Sequence, residues 1–528
     1  MGFDHDFVII GSGFGGSVSA LRLAEKGYDV VVLEAGLRYG RGDFARSTWD
    51  LRRWLWLPRA GCYGIQRMTL LDDVFVLSGA GVGGGSLVYG NTLMEPPDAF
   101  YSDPQWSALD PDWKARLAPF YQTARRMLGV VPNPTRWEAD EALRDFAASI
   151  GREEHFAPTP VGIFFGEPGR EAPDPFFGGE GPPRVGCARS GHCFVGCNGG
   201  GKNSLDRNYL HLAEGAGARI VPNATVTSVA PLAGGGYRVA ARRTTGLVRH
   251  PRREWSTRAV VLAAGALGTN RLLLRCRDRG LLPGLSQSLG TKVRTNSEAL
   301  TGVRTRAAKR PLSPAVAITS SLRLDDDTHV EPVRYPPGSD VAGLLDAMMV
   351  DGGGRAPRWV RFVATAVHHP VRFLRTLWPF GWAARTVILL VMQNVDNHME
   401  LRLGRRWWWP FERVLRSRER GGGIPTYLPQ ANDTARALAR RLGGEPVSSV
   451  TEVLLDVPAT AHLLGGCPIG EGPASGVVDE WGRVFGYDGL YVADGAMVPA
   501  NPGVNPSLTI TALAEHAMSR VPTKAREA

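Results

Sequence analysis

Gly11, Gly13 and Gly16 of "IIGSGFGGSV" stand in G-x-G-x-x-G spacing, and Glu34 closes the next apolar run, "VVVLE". The first glycine permits a tight turn. The second lets a pyrophosphate approach the backbone, and the third lets a helix pack closely on its strand. Free N–H groups at the helix start meet phosphate charge, and an acid about 20 residues on accepts hydrogen bonds from a ribose. A dinucleotide site is expected, with Glu34 at the adenosine ribose. A second cluster, Gly79, Gly81, Gly83, Gly84 and Gly85 in "LSGAGVGGGSLVYGN", leads into Ser86 and Asn91. A core strand has no need of five glycines in seven residues. A flavin ring and pyrophosphate lying along a loop do need such backbone. The first motif also starts about ten residues into the chain, so the reading is FAD rather than NAD.

Two other constellations have chemical potential. His462 lies in "TAHLLGGCPIG". Imidazole titrates near neutral pH and can take or hold a proton, although a lone histidine beside an apolar turn usually packs. Cys187, Cys193 and Cys197 fall in C-x5-C-x3-C spacing in "CARSGHCFVGCNGGGKN". That spacing matches neither the common ferredoxin motifs nor a four-ligand zinc site. The expectation is three packing thiols and no metal.

The elements that must position these groups follow from the apolar pattern. "DFVIIGSGFGGSVSALRLAEKGYDVVVLEAG" reads strand, glycine turn, helix, strand. "RAVVLAAGALGTNRLLL" repeats that grammar. So does "GLYVADGAMVPANPGVNPSLTITALAEHAM", with Asp494 and Gly495 in its first turn. "ARIVPNATVTSVAPL" and "GYRVAARRTTG" alternate as antiparallel strands do, and Val226 sits where such a strand faces an adenine. The expected fold is α/β. A Rossmann-like FAD-binding domain comes from residues 1–40, 200–297 and 458–528, with the 77–91 loop also touching the cofactor. A discontinuous antiparallel sheet with helices, residues 41–199 and 298–457, forms a substrate domain over it. Clefts between domains favour small-molecule sites.

Bulk composition agrees. A chain of 528 residues exceeds one ordinary core. It is 43% hydrophobic and 21% charged, which excludes a disordered chain. Six cysteines are too sparse for a disulfide framework. Lys plus Arg is 61 against 51 Asp plus Glu, net +10, a balance that favours anionic partners. "MGFDHDFVIIGSG" lacks the basic region of a secretory signal. "TVILLVM" is too short to span a bilayer. The expectation is a cytoplasmic protein or one peripheral to a membrane, with export by another route left open.

The C-terminal pairing of "AHLLGGC" with "GVNP" is more specific than any glycine motif. With "GCYGIQRM", "VGIFFG", "ITSSLRLDDDTHVEPVRY" and "GVNPSLTITALAE", the chain resembles the GMC (glucose–methanol–choline) flavoprotein oxidoreductases over about residues 5–521. Within them it resembles the bacterial, mycobacterial-type cholesterol oxidases that hold FAD non-covalently. The resemblance implies that His462 and Asn505 face the flavin and the substrate hydroxyl. Pro506 follows Asn505 at the cofactor. Glu331 would reach into the steroid cavity and move a proton between ring carbons. The implied reaction oxidises a 3β-hydroxysteroid to the 3-ketone, reduces O2 to hydrogen peroxide and shifts the Δ5 double bond to Δ4. For Glu331 the bland reading is an ion pair with Arg323 or Arg334. The chain departs from the family at Tyr89, where many members carry Asn. Alternatives are an enzyme for another bulky hydrophobic alcohol and a non-catalytic flavin-binding, membrane-associated protein. "RWVRFVATAVHHPVRFLRTLWPFGWAARTV" and "GRRWWWPFERVLR" interleave Arg with Trp and Phe. Such stretches suit an anionic membrane surface and equally stacking platforms for nucleic acid. The plain alternative is one face packed in the substrate-domain core with Arg solvating the other. The lipid reading coheres with a sterol, and no nucleic acid is expected.

Overall fold

The computed structural model describes residues 2–246, 249–305, 315–406, 409–420 and 423–525. Trp407 and Trp408 of the second Arg–Trp stretch lie outside the described residues. Two seven-stranded sheets organise the chain. The first is built on His5–Ile10, all six residues buried. A strand covered on both faces reads as one apolar run, as parallel strands do. It pairs in parallel with Val30–Leu33 (Phe7 opposite Val30) and with Arg252–Leu262 (Ile10 opposite Leu262). Arg252–Leu262 is long enough to serve two pairings. Its first half runs antiparallel to Tyr237–Arg243, and its last residues run parallel to Leu490–Val492.

One expectation needs correction here. "ARIVPNATVTSVAPL" is not a single antiparallel strand. Arg219–Val221 joins the parallel set beside Val30–Leu33, and Ala224–Pro231 pairs antiparallel with Tyr237–Arg243. Pro222 cannot donate to a ladder, and Asn223 takes a left-handed φ of 63°, so the strand breaks there.

Helices Phe14–Glu25 and Ser507–Ser519 cover one face of this sheet through Val18, Leu21, Leu508 and Leu513. Trp113–Met127, from the stretch expected in the substrate domain, enters the same core through Trp113, Leu117 and Tyr121. Gly265–Asp278 and the hairpin His398–Arg406/Trp409–Arg420 cover the other face, with Leu273, Met399, Leu401 and Leu415.

The second sheet is antiparallel throughout. Its centre runs Gly444–Ser449, Ala299–Thr305, Thr386–Gln393, Thr328–Val333 and Ser320–Arg323. Strand side chains alternate between faces. Val330, Leu389 and Val391 turn to one face, under helices Glu138–Ser149 and Pro429–Leu442. Val333, Leu390 and Met392 turn to the other, against Ile163, Val316 and Ile318. Glu331 shares the parity of Val333 and lies opposite Leu390.

Candidate active site

The glycine motif forms a close-packed turn at the carboxyl ends of the parallel strands. Gly11 has φ 101°, and a Cβ there would stand 2.3 Å from the Ala263 carbonyl oxygen. A Cβ on Gly16 would meet the Gly11 oxygen at 2.0 Å. Gly13 differs: a Cβ there meets nothing within 4 Å. The second glycine segment arrives beside it. Gly81 and Gly83 take φ 129° and 108°, and a Cβ on Gly84 would stand 2.6 Å from the Gly13 Cα. A Cβ on Gly79 would meet the Gly84 oxygen at 2.5 Å. The two glycine segments therefore touch backbone to backbone.

Glu34 ties them together. One carboxylate oxygen accepts from Ser12 N at 3.1 Å and Ser12 Oγ at 2.7 Å. The other accepts from Gly36 N at 2.7 Å and Gly81 N at 3.4 Å. A ribose would share oxygens that already hold the loops in register. Val226 lies half-buried two residues beyond Ala224, whose N–H donates to the Glu34 carbonyl at 2.8 Å. Ser86 Oγ donates to Gly83 O at 2.7 Å and accepts from Leu205 N at 3.0 Å, so its visible work is to brace the loop. Asp494 accepts from Gly265 N at 2.9 Å, Thr269 Oγ1 at 2.5 Å and Ala496 N at 2.8 Å. Burial pushes its carboxyl up to about 6. Gly495 O accepts from Gly465 N at 2.8 Å, which brings the His462 turn to the same place.

Asn91 is fully buried with φ 67°, and among the described residues neither amide atom has a nitrogen or oxygen partner. Tyr89 OH is likewise buried and unpartnered. Buried polar groups are normally satisfied. Orphan groups of this kind fit a bound polar group, and the Tyr89 ring lies 5.5 Å from that of Phe14, which follows Gly13.

His462, Asn505 and Glu331 come together from three distant segments. Glu331 is fully buried. It sits between His329, whose Nε2 lies 3.2 Å from Oε1, and Asn505, whose Nδ2 donates to Oε2 at 3.3 Å. Arg323 is exposed. Arg334 lies over the Trp137 ring, and the carboxylate that acts on it is Asp140. Neither arginine supplies the ion pair of the bland reading. Asn505 Oδ1 is buried without a partner among the described residues. Pro506 follows at the N-cap of Ser507–Ser519, so the positive end of that helix lies beside Asn505.

His462 is held by a residue that motif reading missed. Its Nδ1 pairs with Oε1 of Glu298, which is fully buried, while Oε2 accepts from Ala461 N at 2.8 Å. Burial works against charge on His462, but Glu298 and then Glu331 outweigh it, and its pKa stands above the ordinary value. Asn296 positions this segment. Its Oδ1 accepts from Gly503 N at 2.8 Å and its Nδ2 donates to Val504 O at 3.0 Å, which fastens the Asn505 loop to Glu298. Asn296 and Ser297 both take positive φ, 61° and 44°. "TNSE" was the available signal, because Asn tolerates the left-handed region. His329 was equally silent, being one more alternating residue of a strand.

Cys193 is buried near Lys202, whose Nζ donates to the carbonyls of Leu87 (3.0 Å), Tyr89 (3.0 Å) and Cys193 (2.8 Å). Burial pushes the Cys187 thiol up to about 12, the state of a packing group rather than a nucleophile. Among the described residues no group of three or more His, Cys, Asp or Glu is arranged to hold a metal ion.

Comparison with known proteins adds to this geometry. Residues 184–276 and 429–514 match the two family models described as GMC oxidoreductase, and residues 9–46 match an NAD(P)-binding Rossmann-like domain. The chain is 48% identical to a cholesterol oxidase of Mycobacterium tuberculosis, covering 99% of this chain and 92% of that one. It is 44% identical to a cholesterol oxidase of Acinetobacter baumannii, covering 99% and 95%. Pyridoxine 4-oxidase from Mesorbium loti superposes with a TM-score of 0.62 at 16% identity, covering 98% of this chain and 99% of that one. At that identity the likeness speaks for the fold.

Proposed function

For a chain that belongs to the GMC oxidoreductases, and so is an FAD flavoprotein, we propose the oxidation of a 3β-hydroxysteroid to its 3-ketone, followed by migration of the Δ5 double bond to Δ4. The observation that carries the reading is the meeting of His462, Asn505 and Glu331 on the apolar face of the second sheet, in a relative of cholesterol oxidases.

The bound FAD supplies the hydride acceptor, and O2 is the expected final oxidant, leaving as hydrogen peroxide. The chain's own residues manage protons and orientation. Glu298 occupies Nδ1 of His462, so Nε2 is the nitrogen left to take the proton of the sterol hydroxyl. The imidazolium that forms is stabilised where it stands by Glu298. Asn505 Oδ1 lacks a donor, and a hydroxyl placed there satisfies it. Glu331 then takes a proton from one ring carbon and returns it to another. His329 and Asn505 hold its carboxylate in place between those two transfers. Leu390, Met392 and Val333 around it keep water from the ring carbons.

Glu331→Gln separates the two chemistries. The variant keeps the shape of Glu but cannot carry the proton. Anaerobic mixing with a panel of Δ5-sterols should still bleach the flavin, while the released product is the unconjugated enone. Conjugated enone, followed by its near-ultraviolet absorbance, should form slowly or not at all. Formation at the wild-type rate would make Glu331 structural, and no bleaching by any sterol in the wild type would remove the substrate assignment.

A further inference from the structure

The sheet face that carries Glu331 changes character along its length. Residues directly opposite in an antiparallel pair share a face, so the registers sort Ala299–Thr305, Thr386–Gln393 and Thr328–Val333 into rows. Leu300, Leu390 and Glu331 form one row, and Gly302, Ile388 and Val333 the next. Arg304 and Thr386 form the third, and Tyr335 stands two residues beyond Val333. Glu298, two residues before Leu300, pairs with His462 at the opposite end. The face is therefore polar at His462, apolar in the middle and polar again at Arg304 and Thr386. Each strand residue rises about 3.3 Å, so Leu390 and Thr386 stand about 13 Å apart.

Space lies against the apolar middle. Leu300 and Ile388 belong to central strands of a seven-stranded sheet, yet both are only half-buried. Gly302, between Leu300 and Arg304, puts no side chain there. Phe194 and Tyr335 are half-buried too and stack at 5.3 Å, and the Trp382 ring lies 5.8 Å from that of Tyr335. Phe194, Leu300 and Ile388 pack in one cluster with Val333, Leu390 and Met392, so the aromatic rings continue the surface on which Glu331 lies.

The far end consists of unpartnered donors. Thr386 is 2% exposed, and its Oγ1 is buried with no partner among the described residues. Buried hydroxyls are normally satisfied. Tyr335 OH makes no hydrogen bond among the described residues. Arg304 donates to the Thr376 carbonyl at 3.0 Å and to the Trp378 carbonyl, and no carboxylate among the described residues forms an ion pair with it. The Asp346 carboxyl accepts from Trp382 Nε1 at 2.5 Å, and burial pushes it up to about 7. Near neutral pH it therefore offsets the Arg304 charge only in part. Two hydroxyls and a guanidinium call for an acceptor oxygen, and a guanidinium favours a carboxylate.

We propose that Thr386, Tyr335 and Arg304 hold a carboxylate at the end of the substrate's side chain while His462 and Asn505 meet the 3β-hydroxyl. The substrate class is then a 3β-hydroxysteroid with an oxidised side chain rather than a bare alkyl tail. Four fused rings are shorter than the ~13 Å from Leu390 to Thr386, and a side chain bridges the remainder. The inference rests on the sterol reading.

Anaerobic flavin reduction is followed with three cyclodextrin-delivered Δ5-3β-hydroxysteroids that share their rings and end in an alkyl group, a hydroxyl or a carboxylate. In wild type the carboxylate steroid should exceed the alkyl one about tenfold or more in kcat/KM, the worth of a charge-assisted hydrogen bond. A site built to bond a substrate group discriminates against analogues that lack it. Thr386→Val keeps the shape and removes the donor, so that ratio should fall about tenfold, mainly through KM; Tyr335→Phe should lower it as well. Binding of the carboxylate-tailed 3-ketone to the holoenzyme, read from the flavin absorbance, should weaken in step. If Arg304→Met does not fold, because Arg304 also holds Thr376 and Trp378, the two hydroxyl variants decide. Equal kcat/KM for alkyl and carboxylate tails, a preference for the alkyl or hydroxyl tail, or a ratio that neither hydroxyl variant changes would overturn the proposal and leave the sterol reading standing. No reduction by any of the three steroids would sink the sterol reading and this inference with it.

Discussion

Glu298→Gln removes a buried negative charge beside His462 and leaves the shape almost intact. The amide oxygen of the variant can still accept from Ala461 N, a contact that Glu298 makes at 2.8 Å, so the loop should keep its course. What disappears is the charge-assisted contact to Nδ1. Such a contact is worth about 1.5–3 kcal/mol. If that energy is felt mainly when the ring becomes imidazolium, flavin reduction slows about 10- to 150-fold. The pH profile gives an independent readout. Burial lowers the His462 pKa, and Glu298 followed by Glu331 raises it to a net value above the ordinary one. The neutral ring, which the proposed mechanism uses as proton acceptor, therefore becomes populated only as pH rises through that raised value. Without Glu298, burial gains weight, the pKa falls, and the acid limb of the reduction rate moves to lower pH. Anaerobic stopped-flow reduction by sterol from about pH 5 to 9, the range in which histidine titrates, measures both effects. A plateau within about twofold of wild type, with an unmoved limb, would refute the assignment of Glu298 as the group that positions and charges His462.

Gly13→Val should give a folded, colourless apoprotein, because the new side chain enters space that no protein atom occupies; full FAD recovery on acid precipitation would contradict this. Gly15→Val should fail to fold, since even a Cβ there would stand 1.4 Å from the Ala493 oxygen; soluble protein with a normal melting curve would refute that contact. Asp494 titrates at about 6 rather than 3.8. The folded state then holds its proton longer than the unfolded chain, and raising pH from about 4 to 6 should remove about 3 kcal/mol of stability. Asp494→Asn should flatten the melting temperature over that interval, and an unchanged slope would show that Asp494 is not the titrating group.

Local chemistry made the glycine segments legible, since a positive φ and a close backbone approach each demand glycine at one position. Glu331 was legible only through resemblance. Nothing in "DTHVEPVRYP" says which face of the sheet Glu331 joins, and pairing with Thr386–Gln393 sets it opposite Leu390. Glu298 escaped notice because its partner lies 164 residues away (462 less 298) and the turn at Asn296 and Ser297 that aims it is made of ordinary polar residues. The same distance problem hid the packing of Trp113–Met127 on Ser507–Ser519. A helix's apolar stripe announces that it will be covered, but not by what.

Gly15 rests on the backbone of Ala493, and the strand that carries the first glycine turn is flanked by Arg252–Leu262. During synthesis the amino-terminal motif therefore leaves the ribosome long before its neighbours exist. Its apolar strand must wait for residue 262 to complete one side, and its helix must wait for Leu508 and Leu513 to be covered. Contacts this far apart in sequence make for slow folding and a long period of exposed apolar surface. The cradle for FAD is thus among the last parts of the molecule to close. Loading of the cofactor becomes a late event that reports a finished chain, and nascent chains halted before Leu490–Val492 should neither retain flavin nor resist proteolysis.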